Sequence, residues 1–67
     1  MKKNLLKAKV AEKGLTYKEL ARKLGMKYVP LENRLREDVN FTLPELVKLK
    51  KVLELTPDEF NNIFLDD

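Results

Sequence analysis

The chain has 67 residues and a net charge of +3, from 14 lysines and arginines against 11 acidic residues, and it contains no cysteine and no histidine. A chain of this length forms one domain with a small core and has no room for a catalytic cleft between lobes. The missing cysteine and histidine exclude disulfides, the usual zinc sites and histidine general-base catalysis. No apolar run approaches the ~18 residues that cross a membrane. We therefore expect a soluble cytoplasmic protein with no membrane contact, metal, cofactor or small-molecule ligand.

The charge is distributed unevenly along the chain. Residues 1–27 carry nine lysines and arginines and two glutamates, a net +7, whereas residues 28–67 carry five basic and nine acidic residues, a net −4. A fold that gathers the amino-terminal charge on one face attracts a polyanion, of which nucleic acid is the commonest. A solvated, lysine-rich surface is the other interpretation, and charge alone does not decide between the two.

The first helix is predicted over residues 4–13. Leu6 and Val10, four residues apart, form the centre of an apolar stripe, and lysines fill the other faces. Gly14 ends the helix, because glycine is the residue that most readily follows the last turn of a helix.

A second helix is predicted over residues 17–24. Thr16 followed three residues later by Glu19 is a capping-box pattern, in which the hydroxyl accepts from a first-turn amide and the carboxylate accepts from the amide of the threonine. Gly25 ends this helix and begins a tight turn. A helix, a short turn containing glycine and a further helix form the sequence pattern of a DNA-binding helix-turn-helix.

The third helix is predicted over residues 29–37. Pro30 has no amide donor and its ring clashes with the carbonyl four residues earlier, so it fits only the first turn of a helix. The residue before a proline is pushed away from helical angles, which places the start near Val29 or Pro30. Leu31 and Leu35, four residues apart, supply the buried edge.

The last two helices are predicted over residues 43–54 and 57–65, and each begins with a capping box. The boxes are Thr42 with Glu45 and Thr56 with Glu59. Residues 37–41 form the loop before the fourth helix, and Val39 and Phe41 point into the core. The solvated face of the fourth helix consists of three lysines, Lys48, Lys50 and Lys51.

Two segments carry a family resemblance. They are GLTYKELARKLGM at residues 14–26 and FTLPELVKLKKVLELTPDEF at residues 41–60. Together they resemble the Cro/repressor-type (XRE-like) helix-turn-helix family and are most similar to its small phage-type repressors. The resemblance covers essentially the whole chain. It implies an all-α fold, a compact five-helix lambda-repressor-like DNA-binding domain formed by residues 1–67, with a central helix-turn-helix.

The resemblance also implies which residues contact the bases of DNA. In this family the second helix of the motif lies in the major groove, and residues near its start meet base edges. The matching positions are Lys27, Tyr28, Val29, Glu32 and Asn33. Lys27 suits guanine or a phosphate, and Asn33 suits adenine. Val29 suits a thymine methyl group and Glu32 suits cytosine, while Tyr28 either covers the third helix or stacks on DNA.

The resemblance implies a further set of contacts. Phosphate contacts are expected from Tyr17, Lys18, Arg34 and Arg36. Tyr17 stands where the family often has a glutamine that grips a phosphate together with amides of the helix terminus. Independently of the resemblance, Phe60, Ile63, Phe64 and Leu65 could all belong to the core, but a domain this small seldom buries so many apolar residues of one terminal helix, so we expect one or two of them to remain exposed as a homodimer surface. Such a dimer forms mainly on DNA and contacts two half-sites about 34 Å apart.

Three departures from the family pattern keep a second function open. Lys27 replaces the usual small hydroxyl cap, and Pro30 stands where a small polar residue often contacts the DNA backbone. Glu37 and Asp38 place carboxylates near the phosphates. The first hypothesis is a sequence-specific repressor or Cro-like transcriptional regulator that binds double-stranded DNA in a bacterial or phage-infected cell, without catalysis. The second is a non-enzymatic protein-interaction module, or an engineered or diverged scaffold on the same fold, with weak or no DNA binding.

Overall fold

The computed structural model describes residues 1–36 and 40–65 of the chain. In these residues the chain forms five α-helices and no strand, so the all-α prediction is confirmed. The helices are α1 (Lys3–Glu12), α2 (Tyr17–Leu24), α3 (Tyr28–Arg36), α4 (Leu43–Val52) and α5 (Pro57–Phe60), and α5 runs directly into a π-helical segment, Asn61–Leu65. None of these described helices has the length and apolar character that crossing a membrane requires.

Three helices begin with the predicted capping boxes. At the start of α2 the Thr16 hydroxyl accepts from the Glu19 amide at 3.1 Å, and Glu19 Oε1 accepts from the Thr16 amide at 3.0 Å. The boxes of α4 and α5 are Thr42 with Glu45 and Thr56 with Glu59. Each box satisfies two amides that would otherwise lack a partner, and it therefore determines the residue at which its helix starts.

Three helix ends are followed by a residue in the left-handed region of backbone space. These residues are Gly14 and Gly25, both at φ 70°, and Glu54 at φ 52°. After each of them the next amide donates to the carbonyl five residues back, as Met26 does to Ala21 at 2.9 Å. Glycine takes this conformation at no steric cost, so Glu54 is the strained member of the three.

Two helix bounds near the middle of the chain differ from the predicted ones. The helix predicted over residues 43–54 ends at Val52, because Glu54 takes the left-handed conformation. The third helix begins at Tyr28 rather than at Val29 or Pro30. Pro30 is tolerated as its third residue, because the amides of the first turn have no partner within the helix and the carbonyl four residues before Pro30 lies outside it.

The chain ends also differ from prediction. The last helix, predicted over residues 57–65, is α-helical only to Phe60, and α1 begins at Lys3 instead of residue 4. The Ile63 side chain is buried in the core and its carbonyl accepts from the Lys2 amide at 2.7 Å. These tertiary contacts determine the path of the terminal segment and override its local helical preference.

The core consists almost entirely of aliphatic side chains. The buried residues are Leu6, Val10, Leu20, Ala21, Leu24, Leu31, Leu35, Phe41, Leu49, Leu53, Leu55 and Ile63. Within the described ranges no polar or charged residue is buried. The prediction for Phe41 is confirmed, whereas those for Glu37, Asp38 and Val39 lie outside the described residues. Because α2 lies against both α3 and α4, burial of its apolar face holds the helix-turn-helix to the rest of the fold.

An ion pair joins the first helix to the last. Lys9 Nζ donates to Glu59 Oε2 at 2.6 Å, and it also lies 3.5 Å from Glu12 Oε2. The hydrogen bond from Lys9, and then the bond from the Thr56 amide, lower the pKa of Glu59 from its ordinary 4.5 to about 2. The same hydrogen bond to Glu59 raises the pKa of Lys9. Glu59 therefore caps α5 and holds α1 at the same time.

Replacing Glu54 with glycine should stabilise the protein. Glycine removes the steric cost of the left-handed backbone, so we expect Glu54→Gly to raise the free energy of unfolding by about 1 kcal/mol. The loss of an exposed contact to Lys13, at 3.5 Å, offsets only a small part of this gain. Urea unfolding provides the measurement. Glu54→Ala is the control, because it removes the same carboxylate but keeps the Cβ, and we expect it not to raise the free energy of unfolding. An equal effect of the two variants would show that the backbone of Glu54 is not strained.

Acid should destabilise the fold over the range from pH 4.5 to about 2, between the ordinary and the folded pKa of Glu59. Because the folded pKa is the lower one, Glu59 stabilises the fold above its unfolded pKa, and this contribution is lost as the pH falls through the folded pKa. Glu59→Gln keeps a residue suited to the capping box but removes the charge. We expect the free energy of unfolding of this variant to depend less on pH over that range than that of the wild type. Glu12→Gln serves as the control, and a Glu59→Gln profile as steep as the wild type would contradict the assignment.

Candidate nucleic-acid interface

The helix-turn-helix consists of α2, α3 and the residues 25–27 between them. Gly25 reverses the chain at φ 70°, and Met26 packs against the core while its amide bonds to the Ala21 carbonyl. Lys48 of α4 donates from Nζ to the Leu24 carbonyl at 3.3 Å, which adds a bond from a third helix. Packing and backbone hydrogen bonds therefore determine the angle between α2 and α3.

One edge of α3 is buried and the opposite edge is open to solvent. Leu31 and Leu35 are buried, as predicted from their spacing. We call the outward surface of the helix and its preceding turn the α3 face, formed by Lys27, Val29, Pro30, Asn33 and Arg36. Val29 is 60% exposed on this face. Of the five residues predicted to contact bases, Lys27, Val29 and Asn33 lie on the α3 face.

The other two predicted base-contact residues, Tyr28 and Glu32, form a hydrogen bond with each other on the side of α3 nearer α2. Tyr28 Oη donates to Glu32 Oε2 at 2.8 Å, and Lys18 Nζ of α2 lies 5.8 Å from the centroid of the Tyr28 ring. The hydrogen bond to Glu32, and then burial, raise the pKa of Tyr28, because both favour the protonated phenol. Tyr28 thus covers the junction between α2 and α3, and the sequence could have indicated the pair from its spacing of four residues.

A second set of contacts runs along the α3 face. Arg36 Nη2 donates to Asn33 Oδ1 at 3.1 Å, and Arg36 Nη1 lies 4.0 Å from Glu32 Oε1. Glu32 is the only acidic residue of α3, and it lies between a phenol donor and a guanidinium. These contacts link the polar side chains of α3 to one another, and they partly compensate the negative charge of Glu32.

The four residues predicted to contact phosphates do not lie together. Tyr17 and Lys18 begin α2, where Tyr17 packs partly against the core and Lys18 is exposed beside Tyr28. Arg34 is directed toward α4: its Nε lies 3.2 Å from Glu45 Oε1 and its Nη1 donates to the Pro30 carbonyl at 3.2 Å. The Arg34 Nε–H does not have hydrogen-bond geometry toward the Glu45 carboxylate, so the interaction between the two side chains is an ion pair without a hydrogen bond.

The fourth helix makes a contact with α2 that the sequence did not indicate. Lys48 is exposed, as predicted for the solvated face, and its Nζ also caps the carboxyl end of α2 through the Leu24 carbonyl. A cation at this position also interacts favourably with the negative end of the helix dipole. The two residues are 24 positions apart, so no local pattern reveals the contact.

The predicted homodimer surface is only partly exposed. Ile63 is 4% exposed and belongs to the core, which corrects its place in that surface. Phe60 and Phe64 are half-buried, with ring centroids 4.9 Å apart, and Leu65 is 66% exposed. An aromatic pair in this tilted arrangement contributes to packing, so the terminal segment mainly completes the core.

A comparison with protein families agrees with this geometry. A family model described as helix-turn-helix matches residues 6–60. No curated protein and no solved structure matches the chain. The family match includes all three capping boxes and the turn at Gly25, and the five helices fit the lambda-repressor-like fold. The chain therefore belongs to the Cro/repressor-type (XRE-like) helix-turn-helix family of DNA-binding regulators.

Proposed function

We propose that the chain is a sequence-specific transcriptional regulator of the repressor or Cro type, which binds double-stranded DNA with α3 in the major groove. The α3 face carries this proposal. An α-helix fits the major groove, and burial of Leu31 and Leu35 directs Lys27, Val29 and Asn33 outward in a fixed orientation. An amine, an aliphatic group and a carboxamide together can contact a guanine or phosphate, a thymine methyl and an adenine.

The charges around the α3 face support the same proposal. Lys18 at the start of α2, Lys27 in the turn and Arg36 at the end of α3 are exposed cations on the helix-turn-helix. Cations arranged in this way attract the phosphates on both sides of a groove. The phosphate contacts we propose are therefore those of Lys18 and Arg36, with Tyr17 beside them. Arg34 is committed to α4 in the free protein.

Regulation by such a protein requires no catalysis. The protein would act in the cytoplasm of a bacterial or phage-infected cell. By binding an operator it would prevent other proteins from binding the same DNA. A homodimer formed mainly on DNA would contact two half-sites about 34 Å apart, one with each α3. At the carboxyl-terminal segment Leu65 and the exposed edge of Phe64 are available for such a contact.

A titration of the labelled protein with a mixed-sequence DNA duplex tests the function. We expect amide signals of residues 17–18 and 27–36 to shift and the affinity to fall steeply between low and physiological salt, because phosphate contacts release counterions. Signals of α1 residues directed away from this surface serve as the internal control. An unchanged spectrum at low salt would overturn the proposal and favour a protein partner for the α3 face.

Replacing Asn33 with alanine should weaken binding selectively. Once a preferred operator has been selected from random duplexes, we expect Asn33→Ala to cost about 1–3 kcal/mol on that operator and to relax specificity at one base pair. Fluorescence anisotropy with the operator and its single-base variants provides the measurement. Asn61→Ala, an exposed asparagine in the terminal segment, is the matched control. An equal loss on every sequence would show that Asn33 contacts only the DNA backbone.

A further inference from the structure

A shallow groove runs along α4 on the side of α5. It has a volume of about 570 Å³, and the lining residues used below are Leu43, Leu46, Val47, Lys50, Lys51 and Phe60. We call it the α4–α5 groove. None of these residues takes part in the α3 face or in the predicted phosphate contacts.

The floor and one wall of the groove are apolar. Leu43 is 73% exposed and Val47 is 49% exposed, and they lie four residues apart on one face of α4. Leu46 and Phe60 are half-buried below them. Together these four side chains form a contiguous apolar patch beside charged residues, and patches of this kind mark contact with another molecule.

The groove is separate from the helix-turn-helix surface. The contacts of α4 with the motif come from its other side, through Lys48 to the Leu24 carbonyl and Glu45 to Arg34. Leu43 and Val47 are not involved in these contacts. A molecule in the groove would therefore leave the α3 face accessible.

The charge beside the groove is positive. Lys50 and Lys51 follow Val47 along the exposed side of α4, and Lys50 Nζ lies 5.7 Å from the centroid of the Phe60 ring. Glu54 also lines the groove, with its carboxylate exposed and 3.5 Å from Lys13 Nζ of α1, so the lining residues carry a net charge of +1. A two-fold interface with a second copy of the chain would contain each of these lysines twice and would add carboxylates only from Glu54, so it would hold an excess of positive charge. A partner with carboxylates complements the same surface.

We propose that the α4–α5 groove binds an acidic amphipathic helix of another protein. Two apolar side chains of that helix, four residues apart, contact Leu43, Val47 and Phe60, and its flanking carboxylates pair with Lys50 and Lys51. An apolar groove beside cations is the arrangement that such helices recognise. This interaction is independent of DNA binding, so its failure and the failure of the proposed function are distinguishable.

A pair of synthetic helical peptides tests the proposal. Each has about 15 residues with two leucines four apart, and the flanking positions are glutamates in one peptide and lysines in the other. We expect the glutamate peptide to shift amide signals of Leu43, Val47, Lys50, Lys51 and Phe60, and to bind at least about tenfold more tightly than the lysine peptide. Exchange of its leucines for serine should abolish binding.

Charge reversal on the protein provides the matched control. We expect Lys50→Glu with Lys51→Glu to lower the affinity for the glutamate peptide by about tenfold or more. Arg22→Glu with Lys23→Glu makes the same change of net charge on α2 and should leave peptide affinity unchanged. Circular dichroism verifies that both variants are folded. Equal affinity for the two peptides, no binding at about 1 mM peptide, or groove signals that shift with protein concentration alone would each overturn the proposal.

Discussion

The left-handed turn at Gly25 is the constraint on which the rest of the helix-turn-helix depends. The turn sets where α2 stops, and the bond from the Met26 amide to the Ala21 carbonyl continues the chain in a direction that allows α3 to pack on α2. The Lys48 ammonium holds the end of α2 from outside. Because three elements meet at this point, the outward residues of α3 have a fixed orientation before any ligand is present. A site preorganised in this way loses little conformational entropy on binding.

The chain combines a very small core with strongly defined helix ends. Its buried side chains are nearly all aliphatic. Such side chains determine which face of a helix is buried, but they do not determine the residue at which the helix begins or ends. The repeated threonine–glutamate boxes and left-handed terminal residues supply that information. The three short helices that the boxes begin, α2, α4 and α5, therefore have defined starts although each buries few side chains. Local and tertiary preferences agree at most of these positions, as expected for a sequence that specifies one structure.

How much could be predicted from the sequence depended on the distance over which each interaction acts. The capping boxes, both glycine turns and the buried edge of α3 are local patterns, and the structure agrees with them. The start of α3 was predicted one or two residues too far along the chain. The conformational restriction on the residue before Pro30 costs less free energy than the packing of the helix provides. Arg34 was predicted to contact a phosphate and Lys48 to lie on a solvated face, and neither prediction included the contacts that these residues make with other helices, at Glu45 and at the Leu24 carbonyl. Contacts between distant positions leave no local pattern. The assignment of DNA contacts depends on family resemblance, because such contacts are made with a second molecule and leave no pattern within the fold.

The contacts between the two ends of the chain also constrain how the protein can fold during synthesis. The first helix is held by residues near the carboxyl end, through the Lys9–Glu59 pair and the bond from the Lys2 amide to the Ile63 carbonyl. A nascent chain that ends within α4 has its amino-terminal helices but lacks the partners that lock α1 in place. Contacts of such long sequence separation can form only after the last segment leaves the ribosome. Docking of α1 against the terminal segment is therefore a late step in the folding of this domain.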